Sequence, residues 1–96
     1  KLAALDADLR IGQVYVDHCV ELLNCKRLTA ADAARAKLFT SELNGRMVDE
    51  CLQLHGGAGY MEEYKICQLY QDERVHRILA GTSEIMKEII ARDLLD

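Results

Sequence analysis

No proline interrupts this chain, and its apolar residues recur at steps of three and four. Proline deletes a helix hydrogen bond and clashes with the preceding turn, so a chain without it can form long unbroken helices. A step of three and four places side chains on one helix face. Leu2, Leu5, Leu9, Gly12, Val16, Cys19 and Leu23 keep that step and form the apolar face of a long first helix. Asp6, Asp8, Arg10, Asp17 and Glu21 lie mostly off it. Gly12, inside the stripe, lets a neighbouring helix come close. The helix is expected to end between Asn24 and Arg27.

Thr29 and Asp32 form the start signal of a second helix, because the pair has capping-box spacing. Ala34, Leu38, Ser41, Gly45, Val48 and Leu52 make one apolar line along it, and Ala36, Phe39, Leu43 and Met47 make another. A helix apolar on two sides is buried on two sides. It either lies at the centre of its own bundle or meets another subunit. Gly56 and Gly57 stop it, since glycine takes the left-handed conformation of a helix C-cap. Gly56 to Gly59 are expected as a loop, with a short third helix from Tyr64 to about Tyr70. The stretch from Asp72 to Gly81 reads as one more helical turn and a loop. Thr82 is a good N-cap for a last helix, and Glu84 in its first turn suits the helix dipole. Ile85, Met86, Ile89, Ile90, Leu94 and Leu95 supply its apolar face. Short connections between long amphipathic helices predict antiparallel neighbours. The expected fold is all-α, an up-and-down four-helix bundle formed as one domain over residues 1–96.

Composition narrows the function. The net charge is −4 and no basic run occurs, which argues against nucleic acid as a partner. The apolar stretches are far shorter than a membrane span. Cys19, Cys25, Cys51 and Cys67 contain no CxxC pair and read as free, buried thiols. The chain starts with Lys1 inside a helical pattern, so it is expected to be a piece of a longer protein. The absence of a targeting segment therefore leaves the compartment open.

Three places could carry chemistry. Successive glycine N–H groups at Gly56, Gly57 and Gly59 could cradle a phosphate. Phosphate loops, however, open a helix, whereas this one follows a helix C-terminus, so the pattern alone favours a plain helix stop. At Ala80-Gly81-Thr82-Ser83-Glu84, free N–H groups of a helix start favour an anion or a carbonyl that gains negative charge. A self-capped helix without a ligand fits that pattern equally well. Cys51 and His55 have metal-ligand spacing, but two ligands do not make a site, and a packed thiol beside a capping or surface histidine is preferred. Asp72, Glu73 and Glu84 read as solvated carboxylates paired with Arg74, Arg77 or Lys87.

Three stretches match a known family. Cys51-Leu-Gln-Leu-His-Gly-Gly-Ala-Gly-Tyr60 resembles the Q-x-x-G-G-x-G-[YF] signature of acyl-CoA dehydrogenases. Leu69-Tyr-Gln-Asp-Glu-Arg-Val-His-Arg-Ile78 resembles their L-Y-R-D-x-R-V-x-x-I. Ala80-Gly-Thr-Ser-Glu-Ile-Met-Lys-Glu-Ile-Ile-Ala-Arg92 resembles their E/A-G-T-S/N-E-I-x-x-x-I-A-R. Ala36-Lys-Leu-Phe39 fits the same family upstream, and order and spacing agree.

The resemblance implies the last of three parts: an N-terminal helical domain, a central β domain and a C-terminal helical bundle. It implies an enzyme that oxidises acyl-CoA to trans-2-enoyl-CoA, with a glutamate taking the α-proton and FAD the β-hydride. Electrons then leave to an electron-transferring flavoprotein. Family members are usually tetramers whose FAD touches two subunits. Gln53 and Gly57, with Gly56 beside them, match residues that touch the pyrophosphate and adenosine side of a neighbour's FAD. That overrides the plain helix-stop reading of the glycine turn. Thr82 and Glu84 match the flavin-contacting helix start. Ala80 stands where a backbone N–H, with a ribityl hydroxyl, polarises the thioester carbonyl. Arg74 and Arg92 match structural arginines, and Asp72 is expected to pair with one of them.

One departure matters. Many members carry their catalytic glutamate just before the Gly-Thr, where this chain has Ala80, which cannot take a proton. Long-chain and isovaleryl branches share this feature and place the base on an earlier helix, upstream of Lys1. Glu84 holds no base position. The expectation is a FAD-contacting, oligomerising domain of such an enzyme, in the bacterial cytoplasm or the mitochondrial matrix, inactive by itself. The alternatives are a non-enzymatic helical module for oligomerisation and a thiol-histidine metal site.

Overall fold

A computed structural model describes residues 2–95. It has four helices: α1 (Leu2–Asn24), α2 (Ala30–His55), α3 (Lys65–Arg74) and α4 (Ser83–Leu95). Short 3-10 turns, Gly56–Tyr60 and Val75–Arg77, follow α2 and α3. No strand occurs among the described residues, so the all-α expectation holds. Among the described residues no helix is long and apolar enough to cross a membrane.

The signals that start and stop these helices act as expected at three ends. At the start of α2 the Asp32 N–H donates to the Thr29 hydroxyl (3.0 Å), and the Thr29 N–H donates back to the Asp32 carboxylate (3.4 Å). The Thr29 hydroxyl first, then the Thr29 N–H, holds the Asp32 carboxyl below the usual carboxylate range. α1 ends at Asn24, and Lys26 turns the chain with a left-handed φ of 59°. α4 starts where Thr82 caps it, its hydroxyl accepting from the Ile85 N–H at 3.2 Å. The third helix is longer than expected. Nothing between Tyr70 and Arg74 breaks a helix, so α3 propagates to Arg74 and tightens into the 3-10 turn.

α2 is the centre of the arrangement. α1, α3 and α4 each pack on it, and contacts among those three are marginal. This resolves the two-faced pattern in favour of a central helix. Ala31, Ala34, Ser41 and Leu43 of α2 are buried, with Leu43 only 2% exposed. On α1 only Leu5, Gly12 and Cys19 of the expected stripe are buried, a seven-residue step. A straight contact between two helices uses such a narrow seam. Gly12 is where they approach: a Cβ there would lie 2.9 Å from the Phe39 ring. Leu2, Leu9 and Leu23 stay exposed, because α1 meets one helix rather than two. The four cysteines are free; Cys19 and Cys67 are buried, Cys51 is half-buried and Cys25 is exposed.

α4 is tied to α2 by side chains at both ends. The Ser83 hydroxyl donates to Glu42 (2.7 Å), and Arg77 donates to the other Glu42 oxygen (3.2 Å). At the far end Arg35 bridges Asp32 and Asp93 (3.3 and 2.7 Å). The Ser83 hydroxyl above all, then Arg77, holds the Glu42 carboxyl below its usual range against the opposing effect of burial. The ion pairs expected for Asp72 and Glu84 do not form among the described residues; Glu73 meets His76, Arg77 meets Glu42, and Arg92 meets Glu88. Glu42 wins Arg77 because it projects from the facing helix and is already fixed by Ser83.

The result is an open structure. Its radius of gyration is 15.5 Å, against about 12.5 Å for a compact chain of this length. Its accessible surface is 6896 Å², where a folded monomer of this mass exposes about 5500 Å². A groove of about 590 Å³ runs between α1, α2 and α4, floored by Leu38 and Phe39 and walled by Ile11 and Ile90. On α1, Ile11 at the groove wall and Val14 are 64% and 70% exposed.

Two outcomes follow. Leu43→Ala removes the most buried apolar side chain of α2 and is expected to cost about 2–5 kcal/mol, measured by urea unfolding; a loss below ~1 kcal/mol contradicts α2 as the core. Because the folded-state pKa of Glu42 is depressed, its contribution is present above the ordinary carboxylate range near ~4.3 and is lost as pH falls through the lower folded value. The stability gap between the unaltered chain and Glu42→Gln should therefore shrink on acidification below that range, as followed by thermal melts.

Candidate functional site

The turn between α3 and α4 combines three features. Ala80 has φ 55° and Gly81 has φ 107°, so two consecutive residues are left-handed. An alanine in that region costs about 1–2 kcal/mol, so the surroundings must impose it. A side chain at Gly81 would be strained at this φ, and its Cβ, 2.7 Å from the Met86 methyl, would also push that methyl aside. Among the described residues, none accepts a hydrogen bond from the N–H groups of Ala80, Gly81, Thr82, Ser83 or Glu84. A helix start always leaves its first donors free; here the two left-handed residues add theirs. Ser83 is buried, and Thr82 and Gly81 are half-buried.

The electrostatics of this mouth are mixed. Thr82, Ser83 and Glu84 line a cavity of about 130 Å³ with Ile78, Arg74, Arg77 and Glu42. Unengaged N–H dipoles and two guanidinium groups face two carboxylates across it. Net charge alone therefore selects no anion. A neutral acceptor that develops negative charge, such as a carbonyl oxygen, suits a row of fixed donors better. Glu84 is exposed at the rim.

The glycine turn lies elsewhere. Gly56 has φ 64° and its N–H donates to the Gln53 carbonyl, which closes α2. Gly59 is buried, and a Cβ there would meet the Leu52 carbonyl at 2.6 Å. Gly57 has neither reason: its φ is ordinary and nothing lies within 4 Å of a Cβ placed on it. Its bareness serves no contact within this chain. Gln53 is exposed beside it, as is Tyr60.

The fold thus brings Ala80, Thr82 and Glu84 together but keeps Gln53, Gly56 and Gly57 apart from them. The mouth is anchored to α2 at Lys37, whose ammonium donates to the Gly81 carbonyl. From Lys37 to Gln53 the helix rises about 24 Å. Two groups of donors so spaced serve two different ends of a ligand, or two ligands. His55 Nδ1 lies 2.7 Å from the Cys51 carbonyl oxygen, and no group of three or more His, Cys, Asp or Glu side chains that could hold a metal occurs among the described residues. Sequence reasoning missed Lys37 and Glu42, the side chains that hold the mouth. Nothing in their spacing separates them from solvated charges on a helix.

Comparison with known proteins identifies the family. A family model described as the C-terminal domain of acyl-CoA dehydrogenase matches residues 1–95. The mitochondrial long-chain specific acyl-CoA dehydrogenase of Rattus norvegicus is 47% identical over 99% of this chain and 22% of its own length. A caffeyl-CoA reductase–Etf complex subunit of Acetobacterium woodii is 32% identical over 98% of this chain and 25% of its own. The crystal structure of an acyl-CoA dehydrogenase from Geobacillus kaustophilus superposes with a TM-score of 0.93 at 41% identity, covering 97% of this chain and 24% of that one. The chain therefore spans about a quarter of the length of the relatives it matches. With a family match from its first residue to its next-to-last and a shared backbone throughout, this chain belongs to the acyl-CoA dehydrogenases, as their C-terminal helical domain.

Proposed function

We propose that this domain supplies the carbonyl-binding mouth and part of the flavin site of an enzyme that oxidises acyl-CoA to trans-2-enoyl-CoA. The observation that supports it most is the run of unengaged N–H donors from Ala80 to Glu84. The Ala80 N–H binds the thioester carbonyl and stabilises the negative charge that gathers there as the α-proton leaves. The left-handed backbone at Ala80 and Gly81 presents this donor without any movement during the reaction. FAD, when bound, accepts the β-hydride. Thr82 and Glu84 hold its flavin end. Gln53, Gly56 and Gly57, some 24 Å further along α2, contact the FAD of a neighbouring subunit, and Gly57 leaves open the space such an approach needs.

Ala80 carries no titratable group, so the base that takes the α-proton comes from outside these residues, and the chain alone does not turn over. The exposed apolar rows on α1 and the groove beside it are covered by other parts of the enzyme and by partner subunits in a homotetramer. Its electrons pass to an electron-transferring flavoprotein, a partnership supported by the Etf complex to which the Acetobacterium woodii relative belongs. Its compartment is the mitochondrial matrix or the bacterial cytoplasm. That relative is named a reductase, so a second reading runs the same chemistry backwards, from enoyl-CoA to acyl-CoA.

The flavin-loaded enzyme carrying this domain should bleach at visible wavelengths with a saturated acyl-CoA, and the isolated domain should show no turnover. Bleaching only by a separate reductant, with reoxidation by an enoyl-CoA, favours the reductive reading; no flavin at all refutes both. Gly81→Val forces the mouth to rearrange and should lower kcat/KM by about a hundredfold or more while circular dichroism stays helical. Undiminished activity in that variant removes the mouth from the reaction.

A further inference from the structure

We infer that Lys37 is a positioning residue for this mouth, acting through the Gly81–Thr82 peptide. The inference rests on the proposed role of the Ala80–Thr82 backbone and adds what holds that backbone in place. Two left-handed residues whose N–H groups have no acceptor cannot be kept there by local hydrogen bonds. Their conformation has to be imposed from α2, from which one side chain reaches Gly81 and a second reaches Ser83 just beyond Thr82. Lys37 donates to the Gly81 carbonyl, and Glu42 accepts from Ser83 at 2.7 Å. These tethers fix opposite flanks of Thr82.

The two tethers are not equivalent. Glu42 grips the first residue of α4 and is shared with Arg77, so it docks the helix. Lys37 grips the peptide itself. No peptide bond in the described residues is cis, and in a trans peptide the carbonyl and the following N–H point in opposite directions. With Lys37 on the Gly81 carbonyl, the Thr82 N–H is aimed away from α2, toward the open side of the mouth. The cation also polarises that peptide, making its N–H a stronger donor. The same bond fixes the plane that follows Gly81, the residue next to Ala80, and so limits how Gly81 can rotate about ψ. Lys37 is half-buried with its ammonium on the Gly81 carbonyl, so it acts on a ligand through this backbone.

The test uses the flavin-loaded enzyme and trans-2-dodecenoyl-CoA labelled with carbon-13 at its thioester carbonyl, which does not turn over on oxidised flavin. In the unaltered enzyme the bound carbonyl stretch should fall in frequency relative to free thioester. Lys37→Met keeps the side-chain length and removes the donor. It should retain the flavin absorbance, lose most of the frequency shift, and lower kcat by on the order of ten- to a hundredfold with a smaller change in KM. Lys37→Arg, which restores a cationic donor, should recover both shift and kcat. An unchanged frequency and kcat in Lys37→Met overturn the positioning role. Absence of any shift in the unaltered enzyme instead refutes the carbonyl-binding mouth itself. If Lys37→Met fails to fold, Lys37→Gln is read by the same two measurements.

Discussion

α1, α3 and α4 are held in place by one neighbour, α2, and hardly by each other. The burial of α2 is therefore the contact on which the remaining geometry depends. It explains the small residues Ala31, Ala34 and Ser41 on its buried faces, where other helices come close. It explains why Gly12 of α1 stands opposite Phe39. It also makes α2 the frame against which the turn before α4 is set. A side chain on α2 is fixed relative to every other helix, so polar tethers from it transmit position over the whole domain.

The mouth of α4 illustrates what that frame achieves. A left-handed alanine is unfavourable by about 1–2 kcal/mol, and five donors without acceptors among the described residues forgo the hydrogen bonds that folding usually supplies. Both costs are local, and both are met by tethers from α2: Lys37 on the Gly81 carbonyl, Glu42 on Ser83 and Arg77. Strain and unengaged donors of this kind gather where a ligand is to be bound, because donors already in position need no reorganisation when charge develops. The depressed Glu42 carboxyl belongs to the same device, since ionised Glu42 is the form that Ser83 and Arg77 stabilise.

The openness of the domain has the opposite character. Excess surface, an apolar groove beside α1 and exposed side chains at Ile11 and Val14 are the kind of surface that other polypeptide covers in larger proteins. The relatives are about four times longer than this chain, so such polypeptide exists in them. The contrast between the two regions is physical: the mouth is held by polar tethers from α2, whereas the α1 face is apolar and exposed.

Much of this was legible in the linear order of residues. The missing proline, the three-and-four period, the Thr29–Asp32 capping box and the Thr82 cap determine where helices start and how far they run, because those effects reach only a few residues along the chain. The two-sided pattern of α2 announced its burial, and three motifs in register announced the family. Only the tertiary structure decided which helix lies at the centre, that α1 uses a seven-residue seam, and that Glu42 rather than Asp72 or Glu73 binds Arg77. It alone joined Lys37 to Gly81 and separated the glycine turn from the α4 mouth. These outcomes depend on pairings between residues far apart in sequence, and no local propensity or spacing encodes which distant partner a charged side chain will meet.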